Sequence, residues 1–364
     1  MIDDNPDNTK SNKIDLEIMR KLSHRLITII PQLLAIMAAF LVGAVVLVLT
    51  GYSPIDVYTT MLQGAFGDIY GIGQTLTQAT PIIFTALSFL FSYKCGLFNI
   101  GAEGQLLIGG FVSAVVGSSF GWLPAPIHIL ISLSSGALAG GAWGYIPALL
   151  KTKFGAHEVI TTMMLSYIAT YLTSYLVTYP FKAPGWVPQT VPIAESSQLP
   201  RLLQPTQLSA SFLIAIVLAG LVYYILQKTT LGYNIKASGL NPLAAENGGI
   251  DVKKSMVLAF IISGALAGLG GAGEILGVHY RFIQGFSPGY GFDGLAVALV
   301  GGLNPLGVLL AAILFGALRS GGMLMTRATQ VPLDIVVIIQ SLVILFVAVP
   351  NLVRYLIRWR REKA

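Results

Sequence analysis

The sequence is poor in cysteine and in charge. One cysteine, Cys95, occurs among 364 residues, which excludes an intramolecular disulfide and any cysteine-rich metal site. Charged residues make up 10% of the chain, against about 25% in an ordinary soluble domain. Enzyme motifs are missing too: there is no Walker A lysine loop, no H-E-x-x-H pair, no Cys/His cluster and no G-x-S-x-G elbow. His24, His128, His157 and His279 lie at the ends of different segments. The one catalytic class left open is a membrane hydrolase built from dispersed residues.

What is present is apolar. Hydrophobic residues are 54% of the chain and mean hydropathy is +0.74. The apolar runs are long and unbroken, unlike the short alternating strands of a membrane barrel. Forty glycines fit closely packed transmembrane helices. The fold class is therefore an all-α polytopic membrane protein. Its net charge of +6 comes from Lys and Arg beside hydrophobic segments, which reads as topology and not as a nucleic-acid surface.

Residues 1–25 form a polar tail ending in Arg20, Lys21, His24 and Arg25, and 26–50 is long enough to span uncleaved. Further spans are expected at 74–93 (kinked at Pro81), 97–118, 127–150, 157–179, 208–227, 256–278 and 333–349, with a surface helix at 57–66. Lys94, Lys151, Lys153, Lys228, Lys236, Lys253 and Lys254 mark the inner side, and a basic tail occupies 351–364. Both termini are expected inside, so the number of crossings is even. The 28 residues of 291–318 exceed one span of about 20. Splitting them at Asn304-Pro305 into short or re-entrant pieces gives about ten spans. The outer loop 180–207 holds six prolines, and its length points to a partner or a gate.

Ser-Gly-Ala-Leu-Ala-Gly occurs at 135–140 and again at 263–268. Each copy is followed by glycine and acid before the next apolar run, Gly155-Ala156-His157-Glu158 and Gly291-Phe292-Asp293. Chance recurrence of a low-complexity hexamer is one reading. The other is a duplicated, inverted unit of the kind many transporters contain. Gly268-Leu269-Gly270-Gly271-Ala272-Gly273 matches G-x-G-x-x-G but lies within a span with no preceding strand, so it reads as helix packing.

The richest stretch is 96–110, where Asn99, Glu103 and Gln105 stand among five glycines in an apolar region. A carboxylate at the bilayer centre costs roughly 2.5–3.5 kcal/mol on insertion scales, so such a residue is a functional candidate. Helix packing, or an interfacial position in water, is the alternative. At the inner side Asn241 is placed to cap a short helix opened by Pro242 and closed by Gly248-Gly249. Such a helix is either an ordinary capped surface turn or a lever for another protein.

Four spaced motifs then agree: G-L-F-N-I-G-A-E-G-Q, G-A-H-E-V-I-T-T-M-M-L, G-L-N-P-L-A-A-E-N-G-G-I and G-F-D-G-L-A-V-A-L-V-G-G-L-N-P-L-G. Together they resemble the permease subunits of ABC importers for ribose, other simple sugars, branched-chain amino acids and nucleosides. The N-I-G-A-E-G-Q form is most similar to the nucleoside, basic-membrane-lipoprotein-dependent members. The resemblance covers roughly residues 30–350. It implies a non-catalytic permease domain over 26–350, with 228–255 as the segment coupled to a cytoplasmic ATPase. It also implies a second homologous permease, an extracellular binding lipoprotein, and location in a bacterial cell membrane. No cofactor is expected in this chain, ATP and magnesium being used by the partner ATPase. Gly239, Asn241, Pro242, Ala244, Ala245, Glu246 and Gly249 would seat in the ATPase. The path would run near Asn99, Glu103, Gln105, Glu158 and Asp293, with Phe98 and Phe292 as stacking surfaces for a nucleobase. Two alternatives remain: a simple sugar as cargo, or an ion-coupled carrier using Glu103, Glu158, Glu274 and Asp293.

Overall fold

The computed structural model describes residues 34–329 and 331–347. The expected N-terminal tail, the start of the first span and the basic C-terminal tail lie outside the described residues. The chain divides into two units, 55–333 and the flanking segments 1–54 and 334–364. In the flanking unit, α1 (Leu34–Leu49) buries Ala35, Ala39, Gly43 and Leu47, and α13 (Asp334–Val347) buries Ile335, Ile339 and Val343. Both show the i, i+4 stripe of a helix buried on one side.

The larger unit contains α2 (Pro54–Phe66), α3 (Ile69–Tyr93), α4 (Ala102–Ser119), α5 (Ala125–Phe154), α6 (Glu158–Thr178), α7 (Ser211–Lys228), α8 (Thr230–Leu240), α9 (Pro242–Asn247), α10 (Val252–Glu274), α11 (Tyr290–Val300) and α12 (Pro305–Thr329). Among the described residues there is no β-strand, only two isolated bridges, Gln189–Ile283 and Arg201–Ser209. Six helices are long and apolar enough to cross a membrane: α3, α5, α6, α7, α10 with its π-helical extension to His279, and α12. The protein is thus a multi-pass membrane protein. α3 is buried along most of its length and carries Pro81 inside the helix. The most apolar windows of α5, α6 and α7 are only 28%, 22% and 28% buried, so their outer faces are left for lipid or a partner.

Small residues let the core helices touch. The two Ser-Gly-Ala-Leu-Ala-Gly copies lie against each other in antiparallel order, Gly136 facing Gly268 and Gly140 facing Gly264. A Cβ on Gly268 would stand 2.3 Å from the Gly136 carbonyl oxygen, and one on Gly264 2.3 Å from that of Gly140. Backbone-to-backbone packing of this kind is how helices gain dispersion energy in lipid, where burial of apolar surface gives little.

Two segments depart from the expected spans. After α3 the chain passes through non-helical 95–101 before α4 starts at Ala102, so the expected span at 97–118 begins five residues late. The 291–318 stretch does break at Asn304-Pro305, but unequally. α11 has 11 residues, about 16 Å of helix. α12 has 25 and runs on past 318 to Thr329. The loop 180–207 folds back onto the helix ends, with Thr190 N–H donating to Phe282 O, Ala194 N–H to Gly117 O and Leu199 N–H to Leu276 O.

Candidate functional site

Two helices begin inside the bundle, and their N-termini meet. The first four N–H groups of a helix have no intrahelical acceptor, and that end carries a partial positive charge. Glu103 sits in the first turn of α4, 7% exposed, and its Oε2 accepts a 2.7 Å hydrogen bond from Gly291 N–H in the first turn of α11. One carboxylate therefore serves two helix starts. Glycine is required at 291, where a Cβ would fall 2.2 Å from Glu103 N. Gly294, one turn on, lies equally close to Thr85 of α3. Thr85 Oγ1 donates to Tyr290 O at 2.8 Å, and the Tyr290 hydroxyl donates to Gln78 Oε1 at 2.9 Å. The α11 entry is thereby wedged between α3 and α4, with Ser287 Oγ accepting from Gly289 and Tyr290 N–H before the first turn.

Asp293 completes the junction. Its Oδ2 is 2.6 Å from Arg319 Nη2, a close charge pair without hydrogen-bond alignment, and Arg319 Nε makes no hydrogen bond. The guanidinium also lies 5.1 Å from the Tyr290 ring centroid, a cation–π contact, and donates to Pro288 O at 3.4 Å. Two carboxylates and one guanidinium so hold the start of α11 to α4 and α12. Phe292, between Gly291 and Asp293, is 45% exposed and free to meet a solute or a partner.

Asn99 and Gln105 form a separate, fully buried brace. Asn99 Nδ2 donates to Gln105 Oε1 at 3.0 Å and to Ser263 Oγ at 2.8 Å, while Asn99 Oδ1 accepts from Gly101 N–H at 2.9 Å. Ser263 Oγ donates in turn to Ser88 O at 2.8 Å. This chain ties 95–101 to α3 and α10. Phe98 is half-buried and stacks edge-on against Phe89, with centroids 4.9 Å apart. Glu158 stands apart from the junction, at the start of α6, paired with Lys151 Nζ at 2.7 Å. Glu274 is buried, its Oε2 3.7 Å from His279 Nε2. Among the described residues no group of three or more His, Cys, Asp or Glu is placed to hold a metal ion.

Arg319, Tyr290 and Gln78 were not legible as site residues in the sequence. Arg319 follows the apolar run 291–318 and reads as its flank, whereas it lies inside α12. The available signal was the return of apolar residues at Met323, Leu324 and Met325.

At the lysine-bearing end of the bundle, Asn241 Oδ1 accepts from Ala244 N–H at 3.1 Å and caps α9, which is closed by Gly248 with Gly249 at φ 82°. α8 precedes it, and Gly239 is pressed against 94–96, where a Cβ would fall 2.4 Å from Lys94 O. Leu240 and Leu243 flank the α8–α9 joint at 87% and 74% exposure, while Ala245 is buried.

Residues 71–348 match the family described as branched-chain amino acid transport system / permease component. The chain is 39% identical to the guanosine ABC transporter permease protein NupP of Bacillus subtilis, over 95% of this chain and 99% of that protein. It is 37% identical to the nucleoside ABC transporter permease protein NupB of Lactococcus lactis, over 90% and 93% of the two chains. It is also 35% identical to the glucose ABC transporter permease protein TsgB13 of Haloferax volcanii, over 86% and 85%. No solved structure matches the chain.

Proposed function

This chain belongs to the branched-chain amino acid transport system / permease component family, and from that premise we propose that it is the membrane permease of an ATP-driven nucleoside importer. It is a transport component, not an enzyme. The observation that carries the cargo is near full-length similarity to permeases named for guanosine and for nucleosides. In this reading a cytoplasmic ABC ATPase, a second homologous permease and an extracellular binding lipoprotein complete the machine. It resides in the bacterial cell membrane, spans about ten times with both termini inside, and is built on an inverted repeat whose two glycine hexamers face one another. ATP and magnesium act in the ATPase.

The cargo path, in this reading, passes the α4–α11 junction. Glu103 and Asp293 offer hydrogen-bond acceptors to base and ribose, and exposed Phe292 offers a stacking face. Asn99 and Gln105 brace the wall behind them, Phe98 closes its inner edge, and Glu158 lies at the inner mouth. The ATPase receives α9 and its flanks, from Gly239 through Asn241, Pro242, Ala244, Ala245 and Glu246 to Gly249. Closure of the ATPases pushes this lever and rocks the paired permeases, and the short α11, hung on side chains, is the element best able to shift.

The glucose permease among the relatives favours a second reading, a simple sugar as cargo. Competition decides between them. Cells expressing the complete transporter take up labelled guanosine, and unlabelled guanosine and uridine are expected to suppress uptake while ribose and glucose leave it unchanged. Suppression by sugar alone, or uptake of sugar without nucleoside, sinks the nucleoside assignment.

A further inference from the structure

We propose that the lysine-rich end of the bundle carries a binding site for the phosphate of an anionic phospholipid, built from Lys94 and Lys236 beside the start of α12. A cavity of about 260 Å³ opens there between the end of α3, the α7–α8 corner and the turn 302–305. Lys94 and Lys236 both line it, and none of its lining residues is acidic. Neither lysine has a carboxylate within ion-pair distance among the described residues. Lys236 Nζ instead donates weakly to Gln227 Oε1, at 3.4 Å. Burial, and then the neighbouring Lys236 charge, hold the Lys94 ammonium below the usual lysine range. Two cations kept together without a counter-ion gain most from an anion brought in from outside.

The third element is a helix end. Asn304 and Pro305 line the cavity at the start of α12, a 25-residue helix. Pro305 has no N–H and the Leu306 N–H is taken by Asn304 Oδ1 at 3.1 Å, so the helix adds only the field of its positive end to the two ammonium groups. Leu303, in the turn above, is held at φ 54°, so the turn presents its backbone in a fixed shape.

The walls select a lipid over a free phosphate. Tyr223 and Leu226 of α7 form one side of the cavity. The face of α7 that carries Tyr223 continues along the helix through Gly220 and Ile216, both exposed. A headgroup phosphate in the cavity would leave its acyl chains along that face, whereas inorganic phosphate gains nothing from it. Basic pockets between helices at the inner surface are a recurrent lipid-binding arrangement, in which each Lys near the surface contributes on the order of fivefold in affinity. A lipid seated here would bridge α8, which leads into the coupling helix, and the α11–α12 turn. The proposal stands whatever the cargo.

The test uses the full chain in its assembled complex, in phosphatidylcholine nanodiscs titrated with phosphatidylglycerol. Retained phosphatidylglycerol is counted by mass spectrometry and the thermal midpoint is followed. The wild type is expected to retain the anionic lipid and to rise in midpoint. Lys94→Gln/Lys236→Gln is expected to bind it about thirtyfold more weakly. Lys94→Arg/Lys236→Arg should retain it, and Lys153→Gln/Lys253→Gln, at the same end but outside the cavity, should match wild type. If the double Gln variant does not assemble, the single variants are read instead, each expected to bind about fivefold more weakly. Equal retention by the double Gln variant (or, failing assembly, by both single variants) and wild type overturns the site. Equal loss in the Lys153/Lys253 control reduces it to general surface charge. Equal stabilisation by millimolar inorganic phosphate in pure phosphatidylcholine overturns the lipid in favour of a free anion.

Discussion

Glu103 is where a single atom change should separate architecture from charge. Its Oε2 accepts the 2.7 Å bond from Gly291 N–H at the start of α11, with only 7% of the residue exposed. A hydrogen bond to a charged group contributes about 1.5–3 kcal/mol, and a carboxylate at a helix N-terminus adds roughly 0.3–1 kcal/mol per helix. Glu103→Ala loses both and leaves a buried N–H unpaired, for an expected loss of about 3 kcal/mol. Glu103→Gln keeps an acceptor oxygen for the Gly291 N–H but loses the charge and turns the second oxygen into an NH2 donor, for about 1 kcal/mol. At roughly 2–4 °C per kcal/mol the thermal midpoint should fall by about 6–12 °C for Ala and about 2–4 °C for Gln. Uptake, assayed in the same complex, should be near background for Ala and reduced but measurable for Gln. Glu274→Gln, with no hydrogen bond to either helix start among the described residues, should reduce uptake less than Glu103→Gln. Equal midpoints for Ala, Gln and wild type would refute the idea that this carboxylate holds α11, and equal uptake by the Glu103 and Glu274 variants would remove its special place.

The glycine contacts give a paired test: Gly268→Ala, whose Cβ would lie 2.3 Å from Gly136 O, should destabilise by about 1–3 kcal/mol. Gly220→Ala in α7, where nothing lies within 4 Å, should be neutral or stabilise by about 0.5–1 kcal/mol in the same thermal assay. Asn241→Ala removes the α9 cap and should cost about 1 kcal/mol locally, seen as faster amide exchange over 243–247. Glu246→Trp should leave insertion intact while ATP hydrolysis by the complex continues without uptake, as ATPase and uptake assays run in parallel would show. Burial pushes the Cys95 thiol up to about 12, so it stays protonated at pH 8. A maleimide should therefore label the folded chain negligibly and the detergent-denatured chain fully, read by mass shift.

The parts of the fold that could be read from sequence are those punctuated by proline and asparagine. Asn241-Pro242 marked the start of α9, and Asn304-Pro305 the break between α11 and α12, because each pairs a capping side chain with a residue lacking an N–H. The late start of α4 could not be read. Leu97, Phe98 and Ile100 keep the segment apolar, and what bends it is the Asn99 brace to Ser263, more than 160 residues away in sequence. Glu103 stood out as an isolated acid in an apolar run, but its partner is a backbone N–H, which no side-chain pattern reveals. The repeated hexamer was visible, yet its packing against its own copy depends on the direction of two helices.

The account rests on ATP-driven nucleoside import, and the most direct measurement is labelled guanosine uptake into proteoliposomes holding the permeases, the ATPase and the binding lipoprotein. Uptake is expected to require ATP, to stop when the ATPase is replaced by a hydrolysis-dead variant, and to persist when proton and sodium gradients are collapsed. Uptake that continues without ATP and vanishes with the ion gradient would contradict it.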